Sequence, residues 1–458
     1  MQNIATAYGL WLNRDKSRKR DVIVGRDTRP SGKWIKEIVI ESLINTDCMV
    51  IDADICPTPT ILYEKNRANI RGAIIISGSH NPPEWNALKL VSETTFLNQS
   101  ELDEISLILS RIENKKIEIP TNIKQKKKNV IKISPIKDYI NAIYNNLDYK
   151  QVKKKNHLKI IVDMGAGSGK LVTPKLLKGL GCDVKVINND FDENGDFPRG
   201  IEPVEKNLED LIMKVWEEKA DVGFAHDCDA DRLGIVGDDF KCYAEDVGLA
   251  LITDWYLKHY YKKIEKPVFI TNVASSLRFD TLAKKYNAKV IRTPIGECYL
   301  AEKMRNLLDE KKQKKDSLVF GGEGSCGGVM LPSFNNARDG IFAAAKIVEI
   351  IVHSGKKISE LVSELPVYYN YREKINIEGI KIEPLIKQIK QELISEGEDV
   401  YQIENDLRFG KDLDWFVLIH PSNTEPVIRI IAEAKRDSLA RIHGQAAAQL
   451  VQILLDKM

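Results

Sequence analysis

The chain has 458 residues, 68 Lys and Arg against 66 Asp and Glu, a formal net charge of +2 and 43% hydrophobic residues. At roughly 100–200 residues per domain, that length accommodates about three or four domains, each apolar enough to bury its own core. The even charge balance argues against a nucleic-acid-binding protein, and no apolar run approaches the ~18–20 residues of a membrane span.

The first residues place their charge after the apolar stretch, unlike a signal peptide. Seven scattered cysteines make no disulfide framework, and Cys228 and Cys298 lack a Cys or His at metal-site spacing. The expectation is a soluble cytoplasmic enzyme, monomer or homodimer, with no nucleic-acid or membrane partner.

Short apolar strands alternate with helical stretches along most of the chain. The first unit runs through strand 21–25 (DVIVG), helix 32–45, strand 48–52, helix 59–67 and strand 72–76 (GAIII). The second runs through strand 158–164 (LKIIVDM), helix 170–180, strand 183–187, helix 205–219 and strand 220–225. The third runs through strand 267–273 (PVFITNV), helix 276–286, strand 288–293, helix 297–310 and strand 317–320. Such alternation predicts parallel sheets with crossover helices, three times over. The remainder, with YNYREKINI, a helix near 383–396, DWFVLIH, EPVIRIIAEA and a long final helix, reads as a smaller α+β domain. The basic segments 113–130 and 150–156 read as a solvated hairpin and a linker. The expected boundaries are 1–148, 149–254, 255–365 and 366–458.

In each α/β unit an unusual loop follows the third strand: SGSHNPPEWNALK (77–89), HDCDADR (226–232) and GGEGSCGG (321–328). Ligands bind beyond the carboxyl ends of strands in open α/β sheets, so three such loops facing one central cleft would make a composite site. In the second loop Asp227, Asp229 and Asp231 alternate, and three hard oxygen ligands suit Mg²⁺ or Ca²⁺. An EF-hand is excluded because its glycine position holds Arg232, its final glutamate position holds Asp238, and its flanks read as strands. Ser79 sits in a turn before His80-Asn81-Pro82 without a Gly-x-Ser-x-Gly elbow, which argues against a serine hydrolase. Lys89 lies ten residues on. The segment Gly165–Lys170 fits neither a Walker loop nor a dinucleotide fingerprint and reads as a strand-to-helix turn. Near the C-terminus, His420-Pro421-Ser422-Asn423-Thr424-Glu425-Pro426 and Arg429 carry partners suited to a phosphate.

Taken together and in order, these loops resemble the α-D-phosphohexomutase family. The serine loop is matched by Ser79-His80-Asn81-Pro82, the metal loop by Asp227 to Arg232, the sugar loop by Glu323 to Ser325, and the phosphate loop by Ser422 to Arg429. Gly25-Arg26-Asp27-Thr28-Arg29 matches a further family element. The resemblance implies three similar α/β domains and a C-terminal α+β domain around a central cleft. It also implies a phosphorylated Ser79 that exchanges phosphoryl groups with a hexose phosphate through a bisphosphorylated sugar. Mg²⁺ would be held by Ser79, Asp227, Asp229 and Asp231, with a sugar bisphosphate as activator. Lys89 would be the general acid/base, with His80, Arg26 and Arg232 beside it in the catalytic set. Glu323 and Ser325 would grip sugar hydroxyls, and Ser422, Asn423, Thr424 and Arg429 the non-reacting phosphate.

The chain also departs from the family pattern. Ser325 is followed by Cys326-Gly327-Gly328 rather than Gly-His, His420 replaces a usual arginine, and Ala87 replaces a usual glycine. The N-terminal Ser-Gly-Ile-Arg-Gly strand of the family is missing from the first residues. Two other functions fit the same residues: a catalytically impaired sugar-phosphate-binding protein, and a metal-dependent sugar phosphatase.

Overall fold

A computed structural model describes residues 1–15, 17, 19–93, 95–117, 129–260, 267–311, 318–324, 327–422 and 425–457. The backbone forms two compact units: Met1–Ile252 with Met304–Asn306 and Cys326–Ser363, and Thr253–Lys303 with Leu307–Ser325 and Glu364–Met458.

The first unit opens with the strands β1 (Asp21–Arg26), β2 (Met49–Ile55), β3 (Gly72–Ile76), β4 (Leu88–Val91) and β5 (Val130–Lys132), in sheet order β4-β3-β1-β2-β5. All neighbours are parallel except β4, which returns antiparallel to β3. Successive side chains of a strand face opposite sides, and the core is partitioned accordingly. Val22 and Val24 pack with the helices Gln2–Leu12, Gly32–Asn45 and Gln99–Glu113, whereas Ile23 packs with Ile61 and Leu62 of the helix Thr58–Arg67. Burial on both faces explains the continuous apolar run of β1. The first residues form a helix here, and its Tyr8 hydroxyl donates to the Ala73 carbonyl oxygen at 3.2 Å.

A second sheet repeats this plan with β6 (Lys159–Asp163), β7 (Asp183–Ile187), β8 (Val222–Ala225) and β9 (Gly234–Gly237), in order β7-β6-β8-β9. Again the last strand returns antiparallel to its predecessor. The serine loop therefore joins β3 to β4, and the metal loop joins β8 to β9. Each lies beyond the carboxyl end of a parallel strand, where such sheets bind ligands.

The second unit begins with β10 (Val268–Asn272), β11 (Lys289–Thr293) and β12 (Val319–Gly321), parallel in the order β11-β10-β12. The chain returns to the first unit with the antiparallel pair β13 (Val329–Leu331) and β14 (Asn335–Asp339). The Asp339 carboxylate caps the following helix Gly340–Ser354, accepting the Phe342 N–H at 2.8 Å. The second unit closes with β15 (Tyr369–Asn376), β16 (Tyr401–Ile403), β17 (Asp406–Lys411), β18 (Trp415–Pro421) and β19 (Val427–Ala434). These form an antiparallel sheet in the order β15-β19-β18-β17-β16, packed against the helices Ile382–Ser395 and Asp437–Leu455. No helix among the described residues is long and apolar enough to cross a membrane.

Several expectations need correction. Residues 150–155 are no linker: they belong to the helix Tyr149–Lys155, anchored by buried Val152 with its lysines outward, and Asn156 follows as its C-cap. Of the expected hairpin at 113–130, residues 118–128 lie outside the described residues, while Val130 starts β5, parallel to β2. The expected helix 170–180 begins as a 3-10 turn (Ser168–Leu171) before the α-helix Thr173–Gly179. Likewise 205–219 is a 3-10 turn followed by the helix Glu209–Glu218.

One buried charge gives a pH-dependent prediction. Lys65 is 1% exposed, and its ammonium donates to the Glu93 carbonyl oxygen and, at 3.4 Å, to Asn66 Oδ1. Burial pushes its pKa down to about 8. An unfolded lysine titrates near ~10.4, so the unfolded chain holds this proton more tightly than the folded one. The destabilisation is full below pH 8 and fades as pH rises towards about 10.5. Lys65→Met should therefore raise the urea unfolding midpoint at pH 7.5, with the wild type approaching the variant across that window.

Candidate active site

The serine loop is built around a strained residue and a buried arginine. Ser79 is 9% exposed and has φ of +48°, a left-handed conformation uncommon outside glycine and frequent at functional positions. Its backbone N–H donates to Ser77 Oγ at 2.9 Å, and Ser77 in turn donates to Asp27 Oδ2 at 2.8 Å. Arg29, fully buried, donates to the carbonyl oxygens of Ser79 (2.8 Å), Asn81 (2.7 Å) and Pro82 (2.7 Å), and its Nε pairs with Asp27 at 3.1 Å. The backbone passes so close that a side chain at Gly78 would lie 2.7 Å from the Arg29 Cζ. Four polar contacts from one guanidinium thus hold the loop in a conformation it would not adopt alone.

The loop delivers its serine to the metal loop. Ser79 Oγ donates to Asp227 Oδ2 at 3.0 Å. Asp227, Asp229 and Asp231 are all buried, and one oxygen of each lies within 4.8 Å of the others. Burial and the neighbouring carboxylates of Asp231 and Asp229 push the Asp227 pKa well above its ordinary value. Burial acts on Asp231 in the same sense, but Arg338, Lys89 and Arg232 outweigh it and hold that carboxyl below the usual range. Asp229 Oδ1 and Asp231 Oδ1 are buried without a hydrogen-bond partner. Orphaned carboxylate oxygens beside two others are costly alone and match the donor set of a hard divalent cation, so these residues fit a metal.

The spacing of the metal loop also explains the glycines of 327–328. A side chain at Gly328 would lie 2.4 Å from the Asp231 carbonyl oxygen, and one at Gly327, which has φ of +68°, 2.4 Å from that of Leu233.

Cations surround the triad. Lys89, on β4, brings Nζ to 2.6 Å from Asp229 Oδ2 and 3.3 Å from Asp231 Oδ2. Burial alone would lower its pKa, but the two carboxylates raise it above its ordinary value and keep the ammonium charged. Arg232 donates from its backbone to Asp227 Oδ1 at 3.2 Å and from Nη1 to Glu202 at 2.9 Å. His80 bridges the two loops, with Nδ1 3.5 Å from Ser79 Oγ and Nε2 3.5 Å from Arg232 Nη2. Burial and the Arg232 charge depress its pKa, favouring the neutral ring. Arg26 turns elsewhere: its Nε pairs with Asp54 at 3.0 Å.

The remaining sequence candidates among the described residues lie in the second unit. Glu323 is 7% exposed, and its Oε1 accepts from Asn272 Nδ2 at 3.1 Å and the Gly296 N–H at 3.2 Å. Ser422, buried, donates its N–H to the Val427 carbonyl oxygen at 2.9 Å. Arg429 Nη2 pairs with Glu425 at 2.7 Å, and His420 Nδ1 lies 2.6 Å from Asp406. Ser325, Asn423 and Thr424 lie outside the described residues.

Sequence reasoning quoted Arg29 within a motif without giving it a role, and missed Thr58, Glu202, Asn272 and Arg338. Thr58 Oγ1 donates to Asp229 Oδ2, and Arg338 Nη2 donates to Asp231 Oδ2 at 3.0 Å. Only Arg29 carried a local signal, as a second arginine two residues after an aspartate in a turn.

Comparison with known proteins is consistent along the whole chain. Residues 1–116, 137–240 and 245–369 match the models of phosphoglucomutase/phosphomannomutase alpha/beta/alpha domains I, II and III, respectively. A phosphoglucomutase/phosphomannomutase of Thermococcus kodakarensis is 36% identical over 453 residues, covering 98% of this chain and 93% of its own. A phosphoglucosamine mutase of Methanocaldococcus jannaschii is 31% identical, covering 100% and 98%. Among solved structures, a phosphoglucomutase/phosphomannomutase family protein from Burkholderia thailandensis shares the fold with a TM-score of 0.81 at 23% identity, covering 98% of this chain and 93% of its own. With three α/β segments matched and relatives running nearly end to end, the chain belongs to the phosphoglucomutase/phosphomannomutase family of phosphosugar mutases.

Proposed function

We propose that this chain is a Mg²⁺-dependent phosphohexomutase that interconverts hexose 6-phosphate and hexose 1-phosphate through a phosphoserine at Ser79. The carrying observation is the 3.0 Å contact between Ser79 Oγ and a buried aspartate triad with two orphaned oxygens. Phospho-Ser79 transfers its phosphoryl group to the free sugar hydroxyl, which loses its proton, and Ser79 regains a hydroxyl. The bisphosphorylated sugar reorients and returns its other phosphoryl group to Ser79. Enzyme phosphate is conserved, and one isomer has become the other.

A phosphoserine adds about −1.5 to −2 charges, so with three carboxylates the site carries roughly −5. Lys89, Arg232 and Arg338 offset part of this. Asp227, Asp229, Asp231 and the Ser79 phosphate would hold Mg²⁺, which when bound would supply further neutralisation and Lewis-acid stabilisation. Lys89, charged and half-buried beside Asp229 and Asp231, would exchange a proton with the reacting hydroxyl. Glu323 and Ser325 grip sugar hydroxyls; Ser422, Asn423, Thr424 and Arg429 take the non-reacting phosphate. Each of the segments 1–148, 149–254, 255–365 and 366–458 supplies one of these loops. The loop variants favour glucosamine or mannose phosphate over glucose phosphate, with a sugar bisphosphate as activator.

Peptide mapping of the purified protein should locate phosphate on Ser79. Coupled assays with glucosamine-, mannose- and glucose-6-phosphate should show turnover that chelation abolishes and Mg²⁺ restores. Release of inorganic phosphate faster than isomerisation would establish the phosphatase instead. Absence of turnover on all three, with activator and Mg²⁺ present, would establish a binding protein.

A further inference from the structure

The surroundings of the metal loop treat the two oxygens of each carboxylate differently. Thr58, first residue of the helix Thr58–Arg67, is 1% exposed. Its hydroxyl donates to Asp229 Oδ2, and its N–H donates to the Asp229 carbonyl oxygen at 3.0 Å. Lys89 meets the same Asp229 Oδ2, and Asp231 Oδ2 as well. Arg338, on β14, donates to Asp231 Oδ2 at 3.0 Å. Every one of these side-chain donors engages an Oδ2 atom, and Oδ1 of both residues is left buried without a partner. The terminal torsion of an aspartate is broad and two-fold, so nothing in the side chain itself decides which oxygen points where.

We propose that Thr58 and Arg338 are positioning residues for the metal: by fixing the Oδ2 atoms of Asp229 and Asp231, they present the two Oδ1 atoms as ligands. The proposal rests on the metal-dependent reading above. Lys89 shares the contact, yet its assigned role requires its proton to move. Thr58 and Arg338 keep theirs throughout and hold the carboxylates at every stage. They come from segments far apart in sequence, at separations of 171 and 107 residues from the aspartates they hold. The metal geometry is thereby tied to the packing of the helix Thr58–Arg67 and of β14 against the metal loop. Outer groups of this kind orient metal ligands by the hydrogen bonds they make. Thr58 is uncharged, so its effect separates from simple electrostatics.

The test is Mn²⁺ binding to the full chain, followed by the electron paramagnetic resonance signal of free Mn²⁺. Thr58→Val removes the hydroxyl but keeps the branched shape and the backbone contact, and should weaken Mn²⁺ binding about 10- to 100-fold. Thr58→Ser, which restores the donor, should return it to within about 3-fold of the wild type. Equal binding by the wild type and Thr58→Val overturns the proposal while leaving the metal reading intact. A wild type that binds no Mn²⁺ overturns both. If Thr58→Val fails to fold, Arg338→Gln decides instead. Losing a nearby cation would by charge alone tighten Mn²⁺ binding, so weaker binding supports positioning, and tighter or unchanged binding overturns it.

Discussion

Replacing Ser79 with alanine is expected to reduce hexose-phosphate isomerisation by at least about 10³-fold, the scale on which loss of a covalent nucleophile is felt. Two other hydroxyls of the site, those of Ser77 and Thr58, are occupied. Ser77 is already committed, accepting the Ser79 N–H and donating to Asp27. Thr58 is tied to Asp229. The backbone should tolerate the change, because Arg29 enforces the left-handed conformation of residue 79 through carbonyl oxygens rather than through the serine side chain. Asp229 and Asp231 keep all their contacts, so Mn²⁺ binding should fall far less than turnover. A coupled assay with sugar bisphosphate activator, beside a Mn²⁺ titration, reads both quantities. Turnover within about 10-fold of the wild type would remove Ser79 from the mechanism.

What the sequence disclosed, and what it hid, follows from the range of the interactions concerned. The parallel strands were legible because burial on both faces writes itself as a continuous apolar run, as in DVIVG and GAIII. The aspartate triad was legible because its geometry is set by local alternation. The first return strand was not: β4 is four residues long and carries Lys89 among them, so it does not read as a strand, whereas β9 was legible only as a strand-like flank of the metal loop. The helix Gln99–Glu113 did carry a local mark, the Asn98–Glu101 capping box. The roles of Arg29, which its motif named without explaining, and of Thr58 and Arg338 are a different matter. Each is a single polar residue whose meaning depends on partners 50, 171 and 107 positions away. No spacing rule reaches that far. Arg26, singled out by its motif, instead faces Asp54, and Arg29 three positions on does the work at the serine loop.

Arg29→Met should be among the most destabilising single changes in the first unit, at about 3–5 kcal/mol, the usual effect of leaving one member of a buried ion pair behind. Both side chains of the Arg29–Asp27 pair are 0% exposed. Burial pushes the Asp27 pKa above its ordinary value even with Arg29 and the Ser77 hydroxyl beside it, and the guanidinium is the largest influence holding its charge. The double variant Asp27→Asn/Arg29→Met removes the stranded charge and should recover part of the lost stability in urea unfolding. Activity should follow a different order. The carbonyl oxygens of Ser79, Asn81 and Pro82 lose their common donor in both variants, which removes the main restraint on the positive φ of Ser79. The double variant should therefore regain stability without regaining turnover. Arg29→Lys sharpens the distinction: it keeps the charge, but an ammonium lacks the planar fork needed to reach three carbonyls and a carboxylate together. It should be the most stable of the three variants and still turn over substrate slowly. Parallel recovery of stability and turnover in the double variant would show instead that Arg29 serves the fold alone, and that the serine loop holds its conformation by other means.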